Sequence, residues 1–234
     1  MNFANIILGV ILILIVYYIF KYMTVKSTLT NSNDATKKIE VDKDNLEKDD
    51  SSPASNFTYS IWFYIEDWNY RYGQPKIIFG RVNKDREPQP SATLGATRND
   101  LTISLACYPS NGSSGGNKSV VHNCKLQNIP IQKWNHLLFS VYGKSMDVYL
   151  DGKLARTCVL PGTAKVTESS NVYVTPAGGF SGSTNKLQYW DSATNPQQAY
   201  NIYKEGSGNL SLLDKYKVII SMYNDGEESA SITI

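Results

Sequence analysis

Three observations predict an all-β chain in which two antiparallel sheets pack as a sandwich or close as a barrel. Short runs of β-branched and aromatic residues alternate with a period of two, clusters of Gly, Pro, Asn and Asp separate them, and a single segment carries a helical pattern. A stretch of about 180 residues is long enough to bury a two-sheet core.

The strands follow in order. FTYSIWFYI (57–65) is β-branched and aromatic, and KIIFGRV (76–82) is the next candidate. In LTISLACY (101–108), Leu101, Ile103 and Leu105 alternate with Thr102, Ser104 and Ala106. NHLLFSVY (135–142) and SMDVYL (145–150) join through Gly143-Lys144-Ser145, and Asp151-Gly152 makes the next turn because Gly accepts the positive φ of a tight hairpin. That pairing faces Leu137, Phe139 and Val141 to the core together with Met146, Val148 and Leu150. Trp134 stands just before its strand, and His136 falls on the opposite parity, as a surface or edge imidazole. NVYVT, KLQYW, YKVIISMY and SASITI complete the strands, and QQAYNIYKE (197–205) is the helix.

Ahead of the sheet segments stand two others. From Phe3 to Phe20 no side chain is charged, and as a helix this run reaches roughly 27 Å, close to the hydrocarbon thickness of a bilayer. We therefore expect residues 1–23 to be a transmembrane anchor. No basic residue precedes the run and no small-x-small site follows it, which argues against a cleaved secretory signal. Lys21 and Lys26 on its C-terminal flank place the rest of the chain on the cytosolic face. Residues 24–55 are Ser, Thr, Asn, Asp, Lys and Glu with scarcely an apolar side chain, and read as a flexible tether spanning on the order of 30 Å. Residues 56–234 are left as the β domain.

Composition narrows function. The chain of 234 residues carries a formal charge of +2, which calls for no nucleic-acid partner, and its two His and three Cys exclude a His-rich metal site. Glu66 and Asp67 are adjacent and so point to opposite faces, and Asp85 and Glu87 lie in the loop KDREPQP. No pair is set as the flanking carboxylates of a glycosidase, and no hydrolase or phosphate-loop motif occurs, so no catalytic residue is assigned. The turn EDWNYRYGQ offers Trp68, Tyr70, Arg71 and Tyr72 as candidate ligand-binding residues, since sugar sites combine aromatic faces with polar groups and a cation. No metal or cofactor is required; calcium would fall to the loops of Asp100 and of Asp225, Glu227 and Glu228, whose spacing fits no ligand set. Cys107 and Cys124 bracket a Gly/Ser-rich loop that a disulfide could close, leaving Cys158 over. Sequons at Asn56, Asn111, Asn117 and Asn209 matter only if the domain enters the lumen, and a disulfide would likewise argue against a cytosolic domain.

In order along the chain, FTYSIWFYI, KWNHLLFSVYGKSMDVYLDGK and GGFSGSTNKLQYWDSATNPQQAYNIYKEG resemble the concanavalin A-like lectin/glucanase superfamily, in its laminin-G/pentraxin-like branch. Trp62, Trp134, His136, Tyr149, Asp151, Gly152, Pro196 and Tyr203 carry the resemblance, which covers about Asn56 to Gly206. It implies a jelly-roll sandwich. With the anchor, the wording resembles single-span proteins of this fold encoded by large DNA viruses. The resulting expectation is a non-catalytic, membrane-anchored structural protein that ties the virion inner membrane to the protein lattice of a capsid, the alternative being a membrane-bound lectin with glycan partners and the distant one a glycoside hydrolase.

Overall fold

A computed structural model describes residues 14, 28–46, 55–109, 119–166 and 170–207, and the backbone of 219–224 and 227–233. Its strands are β1 (Thr28–Thr30), β2 (Asn33–Asp34), β3 (Ile39–Val41), β4 (Phe57–Asp67), β5 (Lys76–Val82), β6 (Pro88–Leu94), β7 (Leu101–Cys107), β8 (Val120–Leu126), β9 (Trp134–Tyr142), β10 (Ser145–Leu150), β11 (Lys153–Val159), β12 (Val172–Val174), β13 (Ser181–Trp190), β14 (Ile219–Asn224) and β15 (Glu227–Thr233). Helix α1 spans Pro196–Lys204. Sheet A runs β1-β13-β4-β9-β10-β11, with β2 also on β13, and sheet B runs β3-β12-β5-β6-β7-β8. Every pairing is antiparallel. Strands β14 and β15 pair with each other in a separate two-stranded sheet.

Alternation builds the core as the sequence pattern requires. Val141 lies opposite Met146, Phe139 opposite Val148 and Leu137 opposite Leu150, and these side chains meet Phe79, Ile103, Leu105 and Val172 of sheet B in one apolar cluster. The rings of Phe79 and Phe139 stack across the gap at 6.0 Å. Asp151 and Gly152 both take positive φ, 50° and 73°, the geometry that lets a two-residue turn follow the twist of β10 and β11.

The polar segment 24–55 is not a free tether over its described part. Thr28 and Thr30 pair with β13, Ile39 and Val41 with β12, and Ala35 is wholly buried. Its order comes from long-range hydrogen bonds that composition does not reveal. The Ala35 N–H donates to Gly182 O, Ala35 O accepts from the Phe180 N–H, and Thr175 Oγ1 donates to Lys37 O. The few apolar residues, Val41 and Leu46 among them, then suffice because each lands in the core. Among the described residues no helix is long and apolar enough to cross a membrane, and the span expected at residues 3–20 lies outside them.

The disulfide also departs from expectation: it joins Cys124 to Cys158, and Cys107 is the free, buried cysteine. In the β7–β8 register Cys107 faces Val120 while Cys124 faces Ile103. Four residues along an extended strand is about 13 Å, too far for an S–S bond. Cys158 instead reaches Cys124 from the other sheet, so the bond staples β8 to β11, the free edge strands of the two sheets.

Candidate functional site

The residues of the family-like motif converge on one place, the outer face of sheet A beneath helix α1. Asn195 caps the helix, accepting from the Gln198 N–H while the Gln198 side chain accepts from the Asn195 N–H, and Pro196 occupies the first turn. Tyr203 stacks on Trp62 at 5.6 Å and lies 5.8 Å from the His136 ring, while Ala199 packs with Leu138 and Tyr149. A Cβ on Gly152 would come within 2.7 Å of Tyr203, so this turn requires Gly for its φ and for its space. Asp151 accepts from the His136 backbone N–H and from Lys133 Nζ.

His136 is thus wholly buried, not a surface or edge imidazole. The parity is as expected, but the helix covers the face. Burial holds its pKa down at about 3, against the opposing pull of Asp151, and its Nε2 lies 2.7 Å from Ser60 Oγ. Asp151 meets the backbone and not the ring, and Nδ1 has no protein partner. A general base needs a reachable proton and an oriented ring, and this Ser–His pair, sealed under α1, has neither. Its role is to seat the helix.

The loop of Trp68, Tyr70, Arg71 and Tyr72 connects β4 to β5 at one end of the sandwich. Trp68 packs against the core, its ring 4.7 Å from the ammonium of Lys76, a lysine turned inward and wholly buried. Burial, followed by the Arg71 charge, pushes the Lys76 pKa down. Arg71 spends its donors locally: Nε and Nη2 on Gln74 Oε1, Nη1 on the carbonyls of Ala177 and Gly179. Tyr70 donates to Gly178 O. Of the four, Tyr72 projects, at 61% exposure.

The feature that alternation alone does not reveal lies on the outer face of sheet B. Register aligns Glu40, Tyr173, Gly80, Ser91, Ser104 and Asn123 in one row across all six strands, about 24 Å long. A second row beside it holds Ile77, Thr93, Thr102 and Lys125. The middle of this surface is small and polar, with Ser91, Thr93, Thr102 and Ser104 all part-exposed. At one end Tyr173 presents a ring with Lys38 over it at 4.4 Å, and Glu40 accepts from Asn171 and from the Tyr173 hydroxyl. At the other end stand Asn123, which accepts from Ser104 Oγ, and Lys125. The result is a polar trough with an aromatic wall at one end and a cation at the other. Among the described residues no group of three or more His, Cys, Asp and Glu converges to hold a metal ion.

Several solved structures share the fold. The serotype D botulinum neurotoxin ligand binding domain in complex with N-acetylneuraminic acid aligns with a TM-score of 0.54 at 11% identity, over 75% of this chain and 42% of that one. The serotype D/C VPI 5993 binding domain gives 0.51 at 12%, over 74% and 43%, and the botulinum neurotoxin DC binding domain in complex with SialylT gives 0.52 at 13%, over 72% and 39%. The match spans about two fifths of each of those chains, and at such identity the likeness is one of fold. No curated protein sequence matches the chain. The sequence profile Laminin_G_3 of the concanavalin A-like lectin/glucanases superfamily matches residues 34–199, most of the two sheets described above, and the chain belongs to that family.

Proposed function

We propose that the protein is a non-catalytic, membrane-anchored carbohydrate-binding module whose ligand lies along the outer face of sheet B. The observation that carries this reading is the trough itself: small hydroxyl side chains at Ser91, Thr93, Thr102 and Ser104 let a flat polymer approach the sheet. An aromatic ring at Tyr173 and an amide at Asn123 stand at its ends, the combination by which sugar sites stack ring faces and bond hydroxyls. The loop of Trp68, Tyr70, Arg71 and Tyr72 enters as a rim, with Tyr72 the ring free to meet ligand. The sialic-acid complex of a neurotoxin domain of this fold is consistent with such use. Residues 3–23 would hold the module at a membrane. The Cys124–Cys158 bond supports display on the oxidising face, opposite to the side favoured by Lys21 and Lys26.

Those two lysines favour a second reading, a virion protein tying a membrane to a capsid lattice from the cytosolic side. A glycan array probed with the full chain in detergent micelles, with calcium and then with chelator, separates them. We expect binding that Tyr173→Ala abolishes and chelator does not. A folded chain silent on the array overturns the glycan reading, and crosslinking in the native membrane then tests the lattice partner.

A further inference from the structure

One cavity remains unassigned. Where the free edges of the two sheets meet, β8 and β11 leave a cleft of about 380 Å³ lined by Lys125, Leu126, Gln127, Leu150, Ala155 and Arg156, a volume in the range of small-ligand sites. Two bonds define its mouth. The Cys124–Cys158 disulfide fixes the separation of the strands, and Arg156 Nη1 donates to Lys125 O at 2.7 Å. That contact uses one of the five guanidinium donors. Neither Lys125 nor Arg156 is ion-paired among the described residues, and both side chains are exposed. The acid nearest along the strands, Asp147 of β10, accepts from Thr157 on the opposite, outer face of sheet A. Leu126 and Leu150 supply an apolar lining between the cations.

Lys125 belongs to two surfaces. It ends the second row of the trough, opposite Thr102, and it lines the cleft. The trough therefore opens into the cleft at its cationic end. From this continuity we infer that the module selects acidic glycans: a carboxylate or sulfate group of the sugar sits between Lys125 and Arg156 while its neutral neighbours lie along Thr102 and Ser104. A guanidinium with free donors matches the planar fork of a carboxylate and the face of a sulfate, and Lys125 adds a point charge. The inference rests on the glycan reading and deepens it by naming the ligand class.

The test is calorimetric titration of the full chain in detergent micelles with three oligosaccharides of equal length: an oligogalacturonate, a heparin-derived sulfated chain and a neutral β-glucan. We expect one acidic sugar to bind roughly tenfold or more tighter than the neutral one, with the advantage shrinking in about 0.5 M salt. Which of the two it is separates the carboxylate source from the sulfate source. Lys125→Glu should remove that advantage and leave binding of the neutral chain and the melting temperature unchanged, since the Lys125 side chain has no ion pair to lose. Arg156→Lys, which keeps the charge and loses the fork, should cost part of it. Equal binding of all three sugars, or acidic binding indifferent to Lys125→Glu, overturns the acidic selectivity and leaves the trough standing. Binding of none of the three by folded protein overturns both readings.

Discussion

The outer face of sheet A carries Trp62, His136, Leu138 and Tyr149, and helix α1 lies over all four; the outer face of sheet B carries Ser91, Thr93, Thr102 and Ser104, and these stay part-exposed. Both faces belong to strands with equally apolar inner faces, so the core does not distinguish them. What differs is side-chain size at the outward positions. Large rings and a histidine cannot be left in water at low cost, and they recruit the helix; small hydroxyls can, and they leave a surface on which a ligand can lie. The motif residues most visible in the sequence are therefore those of the covered, structural face, and the candidate binding face is written in residues of no individual distinction.

Cutting into the covered face should cost the most. Trp62→Ala removes the ring on which Tyr203 stacks, and we expect a loss of roughly 3–5 kcal/mol in denaturant unfolding. A loss below about 1 kcal/mol would mean that α1 is not held by this face. Opening the seam where the two faces meet comes next. Cys158→Ser releases a 34-residue loop and should cost about 3–4 kcal/mol on the chain-entropy account, with the same loss in wild type under reducing agent. The edge cleft would loosen with it, so acidic-sugar affinity should fall in parallel.

The buried imidazole gives a smaller effect with a defined pH window. Burial lowers the His136 pKa from 6.5 to about 3, so between these values the unfolded chain binds a proton that the folded chain does not. Stability contributed by keeping the ring neutral is complete above pH 6.5 and declines as pH falls towards 3, by at most about 1.4 kcal/mol per pH unit. Glu87 is held at about 2, chiefly by the Ser119 and Lys165 side chains, and adds its own loss only below its ordinary value of 4.5. Stability measured from pH 6.5 to 4.5 thus isolates the histidine, and His136→Asn should flatten the slope there. The smallest effect on stability belongs to the open face: Ser104→Tyr should shift unfolding by no more than about 0.5 kcal/mol while blocking the trough and abolishing glycan binding. If instead it unfolds the protein, the face is not open.

Much of this was legible beforehand, and the failures share a cause. Strand alternation around Leu137, Phe139 and Val141, the Asp151-Gly152 turn and the helix at 197–205 are local, because each depends on a period or on a backbone angle within a few residues. The polar segment holding Ala35 and Val41 reads as unfolded because its order comes from hydrogen bonds to residues 180 and 182 and pairing with β12. The sequence pairs Cys107 with Cys124 because they flank one loop, whereas a staple between sheets follows no sequence spacing. Trp68 and Arg71 look like ligand groups, and only the fold turns one onto buried Lys76 and the other onto its own loop.

By itself, then, the sequence determined the period of its strands, the place of its turns and the parity that sends each side chain in or out, since these follow from backbone geometry over two to four residues. Tertiary structure alone decided which outward face a helix would cover, which cysteines would meet, and that residues from six strands would line up from Glu40 to Asn123, because register and sheet order are set by packing between segments far apart in the chain.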